Sequence, residues 1–155
     1  MTFDQTAIDT VMSSVTSHAL SLGIFRSVNS HEPKVAPGNG LRFAVWVQSL
    51  EPIAAASGLS STSGYLVLQG RVYGNMLQKP EDDVDPRLTT AASTLIGAYT
   101  GDFNFGSTIR NVDLLGMYGQ RLMAQAGYVT IGQNMYRVMT ITVPLVVNDM
   151  WTQVQ

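Results

Sequence analysis

The chain has 155 residues, no cysteine and a net charge of -2, which fits one domain spanning 1–155 and excludes disulfides, thiolate metal sites and cysteine nucleophiles. It has no basic run to make nucleic acid the main partner, and no apolar run near the roughly 20 residues that span a bilayer. Only 13% of residues are Asp, Glu, Lys or Arg, against about 25% in an ordinary domain, so part of the surface is expected to be covered by partners or, more plainly, to be rich in uncharged polar groups.

The segment MTFDQTAIDT lacks the basic-then-apolar order of a signal peptide, and a soluble, cytoplasmically made protein is expected. Asp4 is placed to cap a helix over 5–22. Ile8, Val11, Met12, Val15, Ala19 and Leu22 recur every three or four residues, and Gly23 stands at the C-terminal stop. The apolar stripe is expected to pack on a sheet. The other face has no Lys or Arg to hold a membrane surface.

A short apolar piece, Ile24 to Val28, leads into a loop over 29–40 marked by Pro33, Pro37 and Gly38. LRFAVWVQSL then alternates as a strand does. Leu41, Phe43, Val45 and Val47 share one face; Arg42, Ala44, Trp46 and Gln48 share the other. Trp46 implies that this second face is not simply wet. Residues 51–64 lose periodicity and predict a long, mobile loop. The run Tyr65 to Tyr73 predicts another strand, with a bulge at Gly70. Residues 41–73 would thus form a large hairpin reaching out from the body.

The linker NMLQKPEDDV brings Glu81, Asp82, Asp83 and Asp85 together. Asp85-Pro86 reads as an N-cap followed by proline at the first helical position. Leu88, Ala91, Ala92, Leu95, Ile96 and Tyr99 give the buried face of a second helix ending near Gly101. The acidic cluster suits the positive end of that helix. A carboxylate metal site would be the sharper reading, but calcium-loop spacing and a nearby histidine are both missing. Ile109 to Leu115 predicts a strand broken by Gly116 and Gly119, and Gln120 to Gln125 a helical turn.

The most legible stretch is the last, Tyr128 to Val147. Two strand-like runs fold back at Gly132-Gln133-Asn134. In the second, Met135, Arg137, Met139, Ile141 and Val143 point one way, and Tyr136, Val138, Thr140 and Thr142 the other. Met135, Met139, Ile141 and Val143 are expected beneath the helices, and the opposite face is expected to be wet in a monomer. Pro144 cannot donate to a ladder, so pairing should stop there on at least one side. The order helix, strands, helix, strands predicts an α+β fold: a mostly antiparallel sheet with two helices on one face and an extended β-hairpin.

Catalytic patterns do not emerge. His18 and His31 lack metal-pair spacing. The nucleophile elbow and the glycine-rich phosphate loops are absent, and Asp102 and Asp113 have no neighbourhood that sequence defines. Neither enzyme activity nor a cofactor or metal is expected.

The phrases SGYLVLQGRVYGN, VDPRLTTAASTLIGAYTGDF, NVDLLGMYGQRLMAQAGY and YRVMTITVPLVVNDMW, in this order of elements, resemble the tail terminator proteins of long-tailed (siphovirus-type) bacteriophages. The likeness runs from about residue 5 to 151. It implies a structural virion protein, assembled in the host cytoplasm, that forms a homohexameric ring at the head-proximal end of the tail. Such a ring stops growth of the tail tube protein and offers a surface to head-tail connector proteins. DNA would pass through it without specific recognition. The loops at 29–40 and 51–64 depart from better-known family members.

Closed rings need two different complementary surfaces on each protomer. The candidates are Trp46, the apolar loop residues Pro52, Ile53 and Leu59, and three arginines, Arg71, Arg110 and Arg137. For the arginines, ion pairs within one chain or solvated charges are equally compatible with the sequence. Rival readings are another head-tail junction component, a tail tube protein, or a small ligand-binding or hydrolytic α+β domain.

Overall fold

The computed structural model describes residues 3–34, 40–54, 57–58, 60–75 and 84–153. It contains α1 (Gln5–Ser21), β1 (Ser27–Asn29), β2 (Arg42–Ile53), β3 (Ser61–Asn75), α2 (Val84–Gly101), β4 (Asn111–Val112), β5 (Met123–Ile131) and β6 (Asn134–Thr152). The fold is α+β. Its six strands form one sheet in the order β1-β2-β3-β6-β4, with β5 also paired to β6. All pairings are antiparallel except β1 with β2.

Helix α1 starts where its cap predicts: the Asp4 carboxylate accepts from the Ala7 N–H at 3.1 Å. It stops where Gly23 takes a φ of +67°, a conformation glycine reaches without a Cβ clash. Helix α2 begins at Val84, two residues before the expected first helical position Pro86, so Asp85 lies in its first turn rather than at its cap. Glu81, Asp82 and Asp83 fall outside the described residues.

Both helices pack on the face of the sheet formed by Phe43, Val45, Leu66, Leu68, Val72, Ile141, Val143, Leu145 and Val147. Val11, Val15 and Ala19 of α1 and Leu88, Ala92, Leu95 and Tyr99 of α2 complete this core. The Tyr99 hydroxyl donates to the Val15 carbonyl at 3.1 Å, tying the helices together. At roughly 2 kcal/mol for each fully buried large aliphatic side chain, this layer dominates stability.

Several expectations need correction. The loop at 51–64 is much shorter, because β2 runs on to Ile53 and β3 begins at Ser61. The β2–β3 hairpin is not an arm, since β3 pairs with β2 on one side and β6 on the other along its length. Gly70 is not a bulge; it pairs regularly with Val45 and Ile141. Its missing side chain admits the Phe43 ring, which an added Cβ would meet at 2.8 Å. The register shifts lie instead between Val47 and Ser49 and between Thr62 and Gly64. The predicted strand at 109–115 shrinks to Asn111–Val112, and 123–125 belong to β5 rather than to a helical turn.

The final hairpin forms with Ile131 opposite Asn134. Of its two turn residues only Gly132 has positive φ, at +65°, the pattern of a type II′ turn with glycine first. Pro144 marks a change of partner on one side of β6. Pairing with β5 ends at Thr142, and pairing with β4 starts at Leu145. Met135 is exposed rather than beneath the helices.

The sheet face away from the helices is not wet. Tyr136 and Val138 are buried with Ala44 and Tyr73, and Trp46, Val129 and Ile131 pack around them. Farther along, Ile53, Tyr65, Val67 and Val146 form another cluster with Tyr118. Sequence alternation assigned the faces correctly but could not show that this second face folds onto itself.

Candidate functional site

The anticipated interface residues do not form one patch. Trp46 is half-buried in the second-face cluster, with the Arg71 guanidinium carbon 5.6 Å from its ring centroid. Arg71 also donates from Nε to Thr140 Oγ1 at 3.2 Å. Arg137 is committed within the chain: its Nε lies 2.9 Å from Asp85 Oδ1, and its guanidinium sits 4.4 Å from the Tyr128 ring centroid. Pro52 is exposed at the end of β2, whereas Ile53 is buried, which corrects its expected exposure. Leu59 lies outside the described residues. Arg110 is exposed and reaches Asn148 Oδ1 at 3.4 Å.

Besides the short edge strands β1 and β4, two longer open strand edges were not anticipated. Strand β1 covers β2 only from Arg42 to Ala44. Among the described residues the outer edge of β2 from Val45 to Ile53 has no strand partner, and Val47 and Leu50 are exposed along it. Strand β5 likewise pairs only with β6, leaving its far edge open among the described residues. Each open edge presents unpaired backbone donors and acceptors to another chain.

A buried carboxylate supports a third surface. Asp113 is 2% exposed. Its Oδ1 accepts from the Met117 N–H at 2.7 Å, and its Oδ2 accepts from the Tyr118 N–H at 2.9 Å and the Tyr65 hydroxyl at 2.8 Å. The same hydroxyl lies 2.5 Å from the Gln120 carbonyl, so one proton serves two acceptors. Burial first, then the bond and charge of Asp113, push the Tyr65 phenol well above its ordinary value. This bonding folds 113–120 into a compact turn that uses positive φ at Gly116 and Gly119. The turn holds Leu115 and Met117 outward, 92% and 82% exposed. The predicted strand over 109–115 concealed this feature; its available signal was an Asp followed by apolar residues and two spaced glycines.

The structure also brings His18 to Asp102, with Nε2 2.9 Å from Oδ2. The imidazole packs against Tyr99 and Phe105, at centroid distances of 5.8 and 5.7 Å. Asp102 Oδ1 accepts from the Gly106 N–H at 3.1 Å, and the turn holds Phe105 at a φ of +49°. An open, hydroxyl-lined groove of about 640 Å³ runs beside this pair. Thr10, Ser14 and Ser21 donate to carbonyls one turn back along α1. The pair therefore reads as a clasp between α1 and the turn after α2. A hydrolytic site would also need a hydroxyl within hydrogen-bonding reach of the imidazole.

Among the described residues, no group of three or more His, Asp or Glu is arranged to hold a metal ion, and no helix is long and apolar enough to cross a membrane. Together the fold and these surfaces define an α+β domain with two long open strand edges and an anchored turn that exposes apolar side chains. No protein-family model matches the sequence, and comparison with curated proteins gives no significant match.

Proposed function

We propose that this chain is a structural assembly protein of a phage virion: a tail terminator that closes into a ring on the end of the tail tube. The observation that carries the proposal is the pair of open edges on unlike strands, β2 and β5. A head-to-tail contact between unlike surfaces generates a ring when its rotation closes. The low charge content supports extensive contact with neighbours, because charged side chains are depleted at interface cores. The sequence phrases that resemble tail terminators span α2 and most of β3 and β6, the two central strands that it packs on.

A terminator must associate laterally without stacking indefinitely, whereas a tube protein must stack. Electron microscopy of the purified protein, alone and mixed with tail tubes, separates these behaviours. Isolated rings, or rings confined to tube ends, are the expected result. Long tubes of the protein alone would assign it to the tube instead. A particle that stays monomeric in both samples would remove the terminator reading.

A further inference from the structure

The two long open edges lie at opposite borders of the four strands β2, β3, β6 and β5. Strand β2 runs antiparallel to β3, β3 to β6 and β6 to β5, so β2 and β5 point in opposite directions. Strand β5 has nine residues, and the open part of β2, Val45 to Ile53, matches it in length. Natural sheet edges are blunted by charge, proline or a bulge. Strand β5 has none of these: MAQAGYVTI holds no charged residue and no proline, and its register on β6 is unbroken. The backbone of such an edge selects its occupant, because another strand is what meets a row of N–H and C=O groups.

Strand β2 has the chemistry of that occupant. On the helix side of the sheet its exposed edge residues are Val47 and Leu50, and those of β5 include Ala126 and Tyr128. On the other side, Trp46 of β2 and Val129 and Ile131 of β5 are half-buried members of one apolar cluster, which thus reaches both edges. An antiparallel register with Trp46 opposite Val129 puts Val47 opposite Tyr128. After Gln48, which is skipped in the β2–β3 register, Leu50 falls opposite Ala126 and Glu51 opposite Gln125. Glu51 is the only charged residue of the open stretch, and an amide such as exposed Gln125 donates to a carboxylate placed there. Pro52 has no N–H, so the ladder ends at Glu51.

We infer that β2 of one copy pairs with β5 of the next, joining their sheets into one antiparallel ladder. The pairing rests on the reading of the chain as a ring-forming protein and names the strands and register that join. Like-with-like pairing, β2 with β2 or β5 with β5, closes a two-fold dimer and leaves the other edge of each copy bare. The unlike pairing covers both edges with one repeated contact. It also keeps the helices of every copy on the same side and makes the apolar cluster continuous from copy to copy.

The cysteine-free sequence makes a cross-linking test clean. Leu50→Cys and Ala126→Cys proteins are prepared separately, then mixed under mild oxidation. Side chains directly opposite on paired strands have Cβ atoms about 5 Å apart, which a small shift brings into disulfide range. The expected result is disulfide-linked heterodimer at least five-fold above the homodimer that either variant forms alone. Adding Thr130→Lys to the Ala126→Cys partner sets a charge at an exposed position of β5 and should reduce the yield to the level of those controls. Equal yields in the mixture and the controls, or a heterodimer that Thr130→Lys leaves unchanged, would overturn the inference. So would an Ala126→Cys homodimer as the main product, which marks a two-fold β5 dimer. Electron microscopy of the unmodified protein distinguishes the two proposals. Rings without heterodimer overturn this pairing and leave the terminator reading standing. Heterodimer with open filaments and no rings supports the pairing and counts against termination.

Discussion

Asp113 shows how one residue determines local shape. A carboxylate buried away from water is costly unless its lone pairs are met, and here three donors meet them. Asp113→Ala would orphan two backbone N–H groups and remove one of the two acceptors of the Tyr65 hydroxyl. A loss of about 3 kcal/mol is expected, since each unmet buried group costs about 1–3 kcal/mol. Tyr65→Phe removes one donor and leaves the two amides satisfied, for a loss of about 1 kcal/mol. Urea unfolding of the two variants tests the ranking; a larger loss in Tyr65→Phe would show that the carboxylate does not organise the turn.

At the scale of elements, the close approach of β2 and β3 depends on glycine. Phe43 is fully buried, with its ring over Gly70 of the neighbouring strand. Gly70→Ala places a methyl group 2.8 Å from that ring, and the surrounding core leaves the ring little room to move. Overpacking of this kind costs about 2 kcal/mol, which lowers the melting temperature by about 6 °C for a chain of this size. Gly64→Ala is the useful comparison. Its new methyl would meet the sulfur and terminal methyl of Met150, the far end of a flexible side chain, so a smaller shift is expected. Calorimetry decides, and equal shifts would remove the special role of the Phe43 contact.

For the whole molecule, three tyrosines link alkaline pH to stability. Burial raises the phenols of Tyr65, Tyr73 and Tyr99 above their ordinary value of 10.0. Asp113 adds to the rise at Tyr65, while Arg71 offsets part of it at Tyr73. A folded-state value above the unfolded one means that the native protein holds its protons longer. The resulting stability is complete below about pH 10 and is lost as pH rises through the folded-state values. Titration followed by phenolate absorbance should show these protons released together with unfolding above pH 10. Ionisation of all six tyrosines near pH 10 with the fold intact would contradict that coupling.

Local chemistry alone determined much of this protein. The cap at Asp4, the stop at Gly23, the helix-facing residues of α2 and the hairpin at Gly132 follow from interactions within a few residues, so they were legible in sequence. The alternation in β6 likewise assigned its two faces. Sequence periodicity could not show that β3 becomes a central strand, because its partners Val45 and Ile141 lie far away in the chain. For the same reason it missed the burial of Tyr136, the closing of His18 on Asp102, and the anchoring of the Leu115–Met117 turn to Tyr65. Nor could composition show that Arg137 meets Asp85 and Tyr128 within the chain. Only tertiary structure decided these points, because each depends on which distant backbone or charge arrives alongside, whereas a cap or a two-residue turn carries its cause within itself.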